Sequence, residues 1–223
     1  MGSGVIARER IERLQVALTA GEVAELAFRE PDRLRARLVR ILGRAAGNHA
    51  ANVRRLAVRL AKRLEIPESS VAAIALGSVL HDAGKLCVPE AILAKPAPLT
   101  EAEWRIVRRH PVAGEQLLEP YIQSHEVLSI IRFHHERWDG LGYPDGRAQA
   151  EIPLAARVVG TADAYEAMIE PRPYRLPRST DQALLEITAH SGTQFDPDCA
   201  RALGELIRDD AAGAASNARA AAE

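Results

Sequence analysis

Aromatic side chains are scarce in this sequence, at 4% of 223 residues, so a core must be built largely from Ala, Leu, Val and Ile. Cysteines number two, Cys87 and Cys199. That is too few for a disulfide framework or a Cys-rich zinc site, and both are expected as free thiols in a reducing compartment. Charge of one sign is not in excess either, because 29 basic residues stand against 30 acidic ones for a net charge of -1. This balance excludes a generally basic surface for nucleic acid or for an anionic membrane, and any affinity for phosphate must be local. Apolar runs approaching the roughly 20 residues of a membrane span are missing. The opening Met-Gly-Ser-Gly and the Arg/Glu-rich stretch after it contain no apolar signal-peptide core. The expected setting is the cytoplasm, with neither membrane nor nucleic acid as a partner.

Alternation of apolar and polar residues over strand lengths is absent as well, whereas the helical period recurs throughout, so the fold class is all-α. Residues 1–45 carry two or three helical segments punctuated near Gly21 and Pro31-Asp32, read as a small N-terminal helical extension whose apolar faces would permit a homodimer. Residues 46–208 form the main body, and 209–223 read as a flexible Ala-rich tail. Pro and Gly clusters divide the body into about six or seven helices. Thr100 and Glu103 form a capping box ahead of Trp104, and Thr180 can begin a helix towards Ala189.

The informative residues are polar ones that continue apolar stripes. His49 lies one turn before the face of Val53, Leu56, Ala57, Leu60 and Leu64. Val71, Ile74, Ala75 and Ser78 lead by steps of three and four to His81 and Asp82. Ile106 and Val107 lead to His110, with Gly114, Leu117 and Leu118 beyond it. Val127, Ile130 and Ile131 lead to His134 and His135, and Leu154, Ala155, Val158, Val159 and Ala162 lead to Asp163. One histidine on an apolar face is ordinarily a hydrogen-bonded core residue. Seven such groups in phase must satisfy one another or something bound among them, because a buried carboxylate needs a countercharge or a cation.

Mixed imidazole and carboxylate ligands suit iron, manganese, zinc, cobalt or nickel, and the adjacent pairs His81-Asp82 and His134-His135 can serve two closely spaced ions. Two metals about 3.5–4 Å apart fit phosphoester hydrolysis, since they can generate a hydroxide near neutral pH and stabilise charge on the phosphoryl oxygens. Lys85, four residues after His81, falls on the same face if the helix continues, where it can meet a substrate phosphate or a ligating carboxylate. Gly84 fits a close helix packing or a helix end. His125 and His190 lack such company and are left outside the site.

His81-Asp82-Ala83-Gly84-Lys85, His110-Pro111, His134-His135-Glu136 with Asp139-Gly140, Gly142-Tyr143-Pro144 and Ala162-Asp163-Ala164-Tyr165 together resemble the HD-GYP branch of the HD-domain phosphohydrolases. The match runs from about residue 45 to 198. The resemblance implies an HD-domain helical bundle with a di- or trinuclear metal centre that hydrolyses cyclic di-GMP to linear pGpG or onward to GMP. By the same resemblance His49, His81, Asp82, His110, His134, His135 and Asp163 are the metal ligands, with Asp82 as the bridge and Lys85 beside the centre. Arg172 and Arg175 match a basic segment that meets substrate phosphates, a role suited to guanidinium groups.

Members with three metals carry a glutamate four residues before the first histidine; here that residue is Ala45, so two divalent transition-metal ions are expected, iron or manganese foremost, with zinc, cobalt and nickel compatible. Tyr143, in a tight loop rich in glycine, reads as an exposed aromatic for the substrate cleft or a partner. The resemblance points to a diguanylate cyclase (GGDEF) domain as that partner. Two other readings stand beside the phosphodiesterase: a cyclic-dinucleotide sensory module with little turnover, and a phosphohydrolase for another nucleotide.

Overall fold

The computed structural model describes residues 48–171 and 176–220. The N-terminal extension 1–45, its proposed dimer contacts, and Arg172 and Arg175 lie outside the described residues. Among the described residues nine α-helices follow one another: α1 Asn48–Arg63, α2 Glu68–Leu80, α3 Glu90–Leu93, α4 Glu101–Val107, α5 His110–Leu118, α6 His125–Phe133, α7 Leu154–Ile169, α8 Thr180–Ala189 and α9 Pro197–Ala220. Short 3₁₀ turns occupy Ala83–Cys87 and Gln149–Glu151. No strand forms among the described residues, and none of their helices is long and apolar enough to cross a membrane.

The helices form where the apolar period places a stripe against a neighbour. In α1 the buried residues are Ala50, Val53, Leu56, Ala57, Leu60 and Ala61, a continuous face at spacings of three and four. Its last turn holds Lys62 and Arg63, which favour the negative end of the helix dipole. Helix α2 is apolar on more than one side because it lies between two cores. Val71 and Ile74 join the larger cluster with α1, α7, α8 and α9. Ala73 and Leu80 join the smaller one, with Leu118, Val127, Leu128 and Ile131 of α5 and α6. Leu60 is completely buried in the larger core. Leu60→Ala is expected to lower stability by about 2–5 kcal/mol in urea unfolding, and a loss far below that would mean that the site collapses around the deletion.

The proposed capping box forms, the Thr100 hydroxyl accepting from the Glu103 amide and the Glu103 side chain accepting from the Thr100 amide, and a helix does start at Thr180, capped by Ser179. Elsewhere the helix boundaries depart from the sequence reading. The single helix expected through Val107 and His110 is two helices, α4 and α5. The reason is Pro111 in the first turn of α5, which has no N–H to give and whose ring conflicts with a helical carbonyl four residues back, that of Val107.

At the C-terminal end α9 continues through Ala220, into the stretch read from the sequence as an Ala-rich tail. Asp209 pairs with Arg63 at 2.6 Å and Asp210 with Arg59 at 2.6 Å, so α1 and α9 are clasped along their charged edges. Pairs this exposed add little stability. Ala richness reads as a weak core former, yet it is also the strongest helix former, and the second property governs here.

Candidate metal centre

Five helices deliver the ligand-type side chains to one place. His49 comes from the first turn of α1, and Asp163 from the middle of α7. His81 is the residue at which α2 ends, with Asp82 next to it; His110 begins α5; His134 ends α6, with His135 following. His81, His110 and His134 retain only 1%, 1% and 3% of their exposure. The seven residues fall into two groups, Asp82, His110, His134 and His135 in one, and His49, His81 and Asp163 in the other. Within each group the candidate donor atoms lie within 4.8 Å of one another.

Three of the histidines are aimed by their own chain. The Nδ1 atoms of His81, His110 and His134 each donate to the carbonyl three residues earlier, those of Ser78, Val107 and Ile131, all at 2.8 Å. An imidazole that donates through Nδ1 is, when neutral, a bare acceptor at Nε2. Burial, reinforced by the adjacent His135, His81 and His110 rings, keeps His134 well below the usual imidazole pKa. Burial also brings His135 down to about 4. His134 and His135 are therefore neutral at physiological pH.

The result is a set of acceptors facing acceptors. His110 Nε2 lies 3.4 Å from His134 Nε2, and 3.3 Å from Asp82 Oδ1. His81 Nε2 lies 3.5 Å from the other oxygen, Asp82 Oδ2, and 3.7 Å from Asp163 Oδ1. His81 Nε2 and Asp82 Oδ1 are buried without a hydrogen-bond partner. Such an arrangement is unfavourable until a cation enters it, and the donor types fit divalent transition metals in both groups. One oxygen of Asp82 faces His110 and the other His81, so this carboxylate lies between the two groups.

Burial alone would push the Asp82 carboxyl up, but the Lys85 ammonium is the foremost influence opposing it, and the carboxyl lies well below the usual carboxylate range. Asp163 behaves alike: burial opposes ionisation, and the hydrogen bond from His49 at 2.9 Å with His81 nearby prevails. Lys85 reaches Asp82 Oδ2 at 2.6 Å, although not along a continued helix as the sequence suggested. Helix α2 has already ended, and the 3₁₀ turn brings Lys85 back over Asp82. That turn rests on α5 so closely that a Cβ on Gly84 would overlap the His110 carbonyl and the Gly114 amide.

The loop after α6 closes one side. Glu136 accepts from the Asp145 and Gly146 amides at 2.7 and 3.1 Å, and Arg132 bridges Asp145 and Glu115. Tyr143 is thereby laid on His135, with ring centroids 4.8 Å apart and planes 30° apart, which corrects its reading as an exposed aromatic. Leu141, 79% exposed, is the side chain this loop presents to solvent. Beside the centre lies a cavity of about 480 Å³ whose lining includes Arg108, His135, Tyr143, Arg157 and Asp163.

Sequence reasoning missed Glu136 as the loop's anchor, and Arg108. Arg108 stands two residues before His110, and that proximity was the available signal. His125 is exposed at the start of α6, and His190 bonds the Glu186 carbonyl at 3.0 Å at the end of α8; neither joins a donor group.

Compared with known proteins, a family model described as an HD domain matches residues 25–199. The cyclic di-GMP phosphodiesterase response regulator RpfG of Xanthomonas campestris is 37% identical over 203 residues, which cover 88% of this chain and 53% of that protein. A 3'3'-cGAMP-specific phosphodiesterase 3 of Vibrio cholerae is 38% identical over 148 residues, 66% of this chain and 32% of that one. The chain thus spans about half or less of the length of these relatives. Among solved structures, the HDG"Y"P protein Bd1817 of Bdellovibrio bacteriovorus superposes with a TM-score of 0.60 at 18% identity, covering 92% of this chain and 69% of that one. That likeness bears on the fold.

Proposed function

Given that the chain belongs to the HD-domain family and carries the motif set of its HD-GYP branch, we propose that it is a metal-dependent phosphodiesterase that hydrolyses cyclic di-GMP to linear pGpG. The observation that carries this reading is the convergence of imidazole nitrogens and two ionised carboxylates, among which His81 Nε2 and Asp82 Oδ1 are buried without a hydrogen-bond partner. His49, His81 and Asp163 would hold one divalent ion, and His110, His134 and His135 the other, with Asp82 shared. When bound, such a pair supplies Lewis acidity to a phosphoryl group and lowers the pKa of water to near neutrality. The protein's own part is to hold the ligands in fixed tautomers, to keep Asp82 ionised through Lys85, and to exclude bulk water with the Tyr143 loop.

Iron or manganese is the preferred occupant, with zinc, cobalt and nickel compatible with the same donors. Ala45 offers no donor for a third ion. Protein loaded anaerobically with iron or manganese is expected to hold two ions per chain by elemental analysis; a reproducible three would overturn the dinuclear assignment. A second substrate reading is favoured by the Vibrio relative, which is named for 3'3'-cGAMP. Metal-loaded protein incubated with cyclic di-GMP, 3'3'-cGAMP and cyclic di-AMP, its products resolved by chromatography, is expected to turn over cyclic di-GMP fastest. Turnover of none would leave the sensory-module reading instead.

Arg172 and Arg175 remain the proposed phosphate contacts. A GGDEF-domain partner at the Tyr143 loop is supported by the exposure of Leu141. Free Cys87 and Cys199 fit a reducing, cytoplasmic setting.

A further inference from the structure

The cations that line the cavity beside the centre are unequally engaged. Arg137 is held by Asp139 at 2.6 Å, and Arg157 by Asp196 in an even closer pair. Arg108 is different: among the described residues its nearest carboxylate is Glu101, at 4.0 Å, and its side chain is 51% exposed. What positions Arg108 is aromatic. Its guanidinium carbon lies 5.8 Å from the centroid of Trp104 and 5.9 Å from that of Tyr143. Tyr143 in turn stacks on His135, and the His135 ring lies 4.1 Å from that of His134. One stack therefore runs from Trp104 at the surface to the donor cluster, with Arg108 as its charged member.

Aromatic faces can orient a guanidinium without using its N–H groups, which stay available in a planar fork that matches phosphate oxygens. A cation with free donors on the wall of a cavity that contains His135 and Asp163 is suited to an anionic ligand placed at the centre. We propose that Arg108 is a substrate-binding residue that holds the phosphate of the cyclic dinucleotide not undergoing cleavage. The inference rests on the phosphodiesterase reading, because a cyclic dinucleotide presents a second phosphate when its first is at the metal-ligand cluster. Arg108 contributes to holding the substrate, and the bond-breaking step does not pass through it.

The test uses the full metal-loaded chain and two variants, Arg108→Ala and Arg108→Lys. Arg108→Ala is expected to raise KM for cyclic di-GMP by roughly ten- to a hundredfold, the loss of charge-assisted hydrogen bonds. Metal content should stay at the wild-type level, and the loss should fall in KM with kcat changed far less. Arg108→Lys keeps the charge without the fork and should lie between the two. Calorimetric titration of cyclic di-GMP into metal-free wild type and Arg108→Ala gives a second readout, with the same weakening expected in Kd. A wild-type KM in Arg108→Ala, or a loss confined to kcat, would overturn the proposal. If the wild type turns over none of the dinucleotides, the phosphodiesterase reading fails, and the calorimetry alone decides for Arg108: equal Kd values, or no binding by wild type, sink it.

Discussion

Asp82→Asn is expected to reduce hydrolysis of cyclic di-GMP by on the order of a thousandfold or more, while the protein remains helical. The Asp82 carboxylate has one oxygen near each donor group, at 3.3 Å from His110 Nε2 and 3.5 Å from His81 Nε2. Replacing one oxygen by an amide nitrogen removes a negative charge and turns a ligand atom into a donor. Several kcal/mol of transition-state stabilisation depend on a metal pair held in register, and each 1.36 kcal/mol is a factor of ten in rate. The fold should survive because Lys85, the charge left without its partner, is 41% exposed and can turn to water. Product chromatography, elemental analysis and circular dichroism on the same preparation make the check. Near-normal turnover with a full metal complement would show that the centre had been misassigned. His81→Ala should abolish turnover too, although it also leaves a cavity at a residue only 1% exposed, so Asp82→Asn is the cleaner variant.

Gly84→Ala is expected to disable the centre without altering any ligand. The added methyl group would meet backbone, the His110 carbonyl and the Gly114 amide, and backbone cannot rotate aside as a side chain can. Either the 3₁₀ turn that carries Lys85 lifts from α5 or the first turn of α5, which carries His110, is displaced. Overpacking of this kind costs about 1–3 kcal/mol or more. Because α5 carries His110, a proposed ligand in the Asp82 group, metal content should fall along with the unfolding midpoint. Thermal unfolding with and without added manganese, together with elemental analysis, measures both; a wild-type midpoint with full metal occupancy would mean that the turn and helix are not packed as described.

Much of this site was legible in the chain, and the parts that were not have identifiable causes. Phase arguments located His49 and Asp163 because both sit inside regular helices, α1 and α7, where steps of three and four hold. They also found His81, His110 and His134, but for a reason that differs from the one supposed. These residues lie at helix ends, and the same three-residue step survives there because the Nδ1 bond to the carbonyl three residues back repeats the spacing. Lys85 was placed near Asp82 by extending a helix that in fact stops at Leu80, so proximity was right and its geometry was wrong. Tyr143 could not be placed from local pattern at all, since its position depends on Glu136 accepting two amides nine and ten residues further on.

The carbonyl bonds to the histidines have a consequence for how such a centre is inherited. Each of these three rings takes its bearing from the turn of chain that immediately precedes it, not from a partner elsewhere in the molecule. Aim is thus encoded within four consecutive residues, and the tautomer is set before any ion arrives. Loops at the rim, and whatever is fused to either end, can change without relearning the orientation of these ligands. The demanding contacts are confined to the few places where backbone meets backbone, as at Gly84, and it is there that variation should be least tolerated.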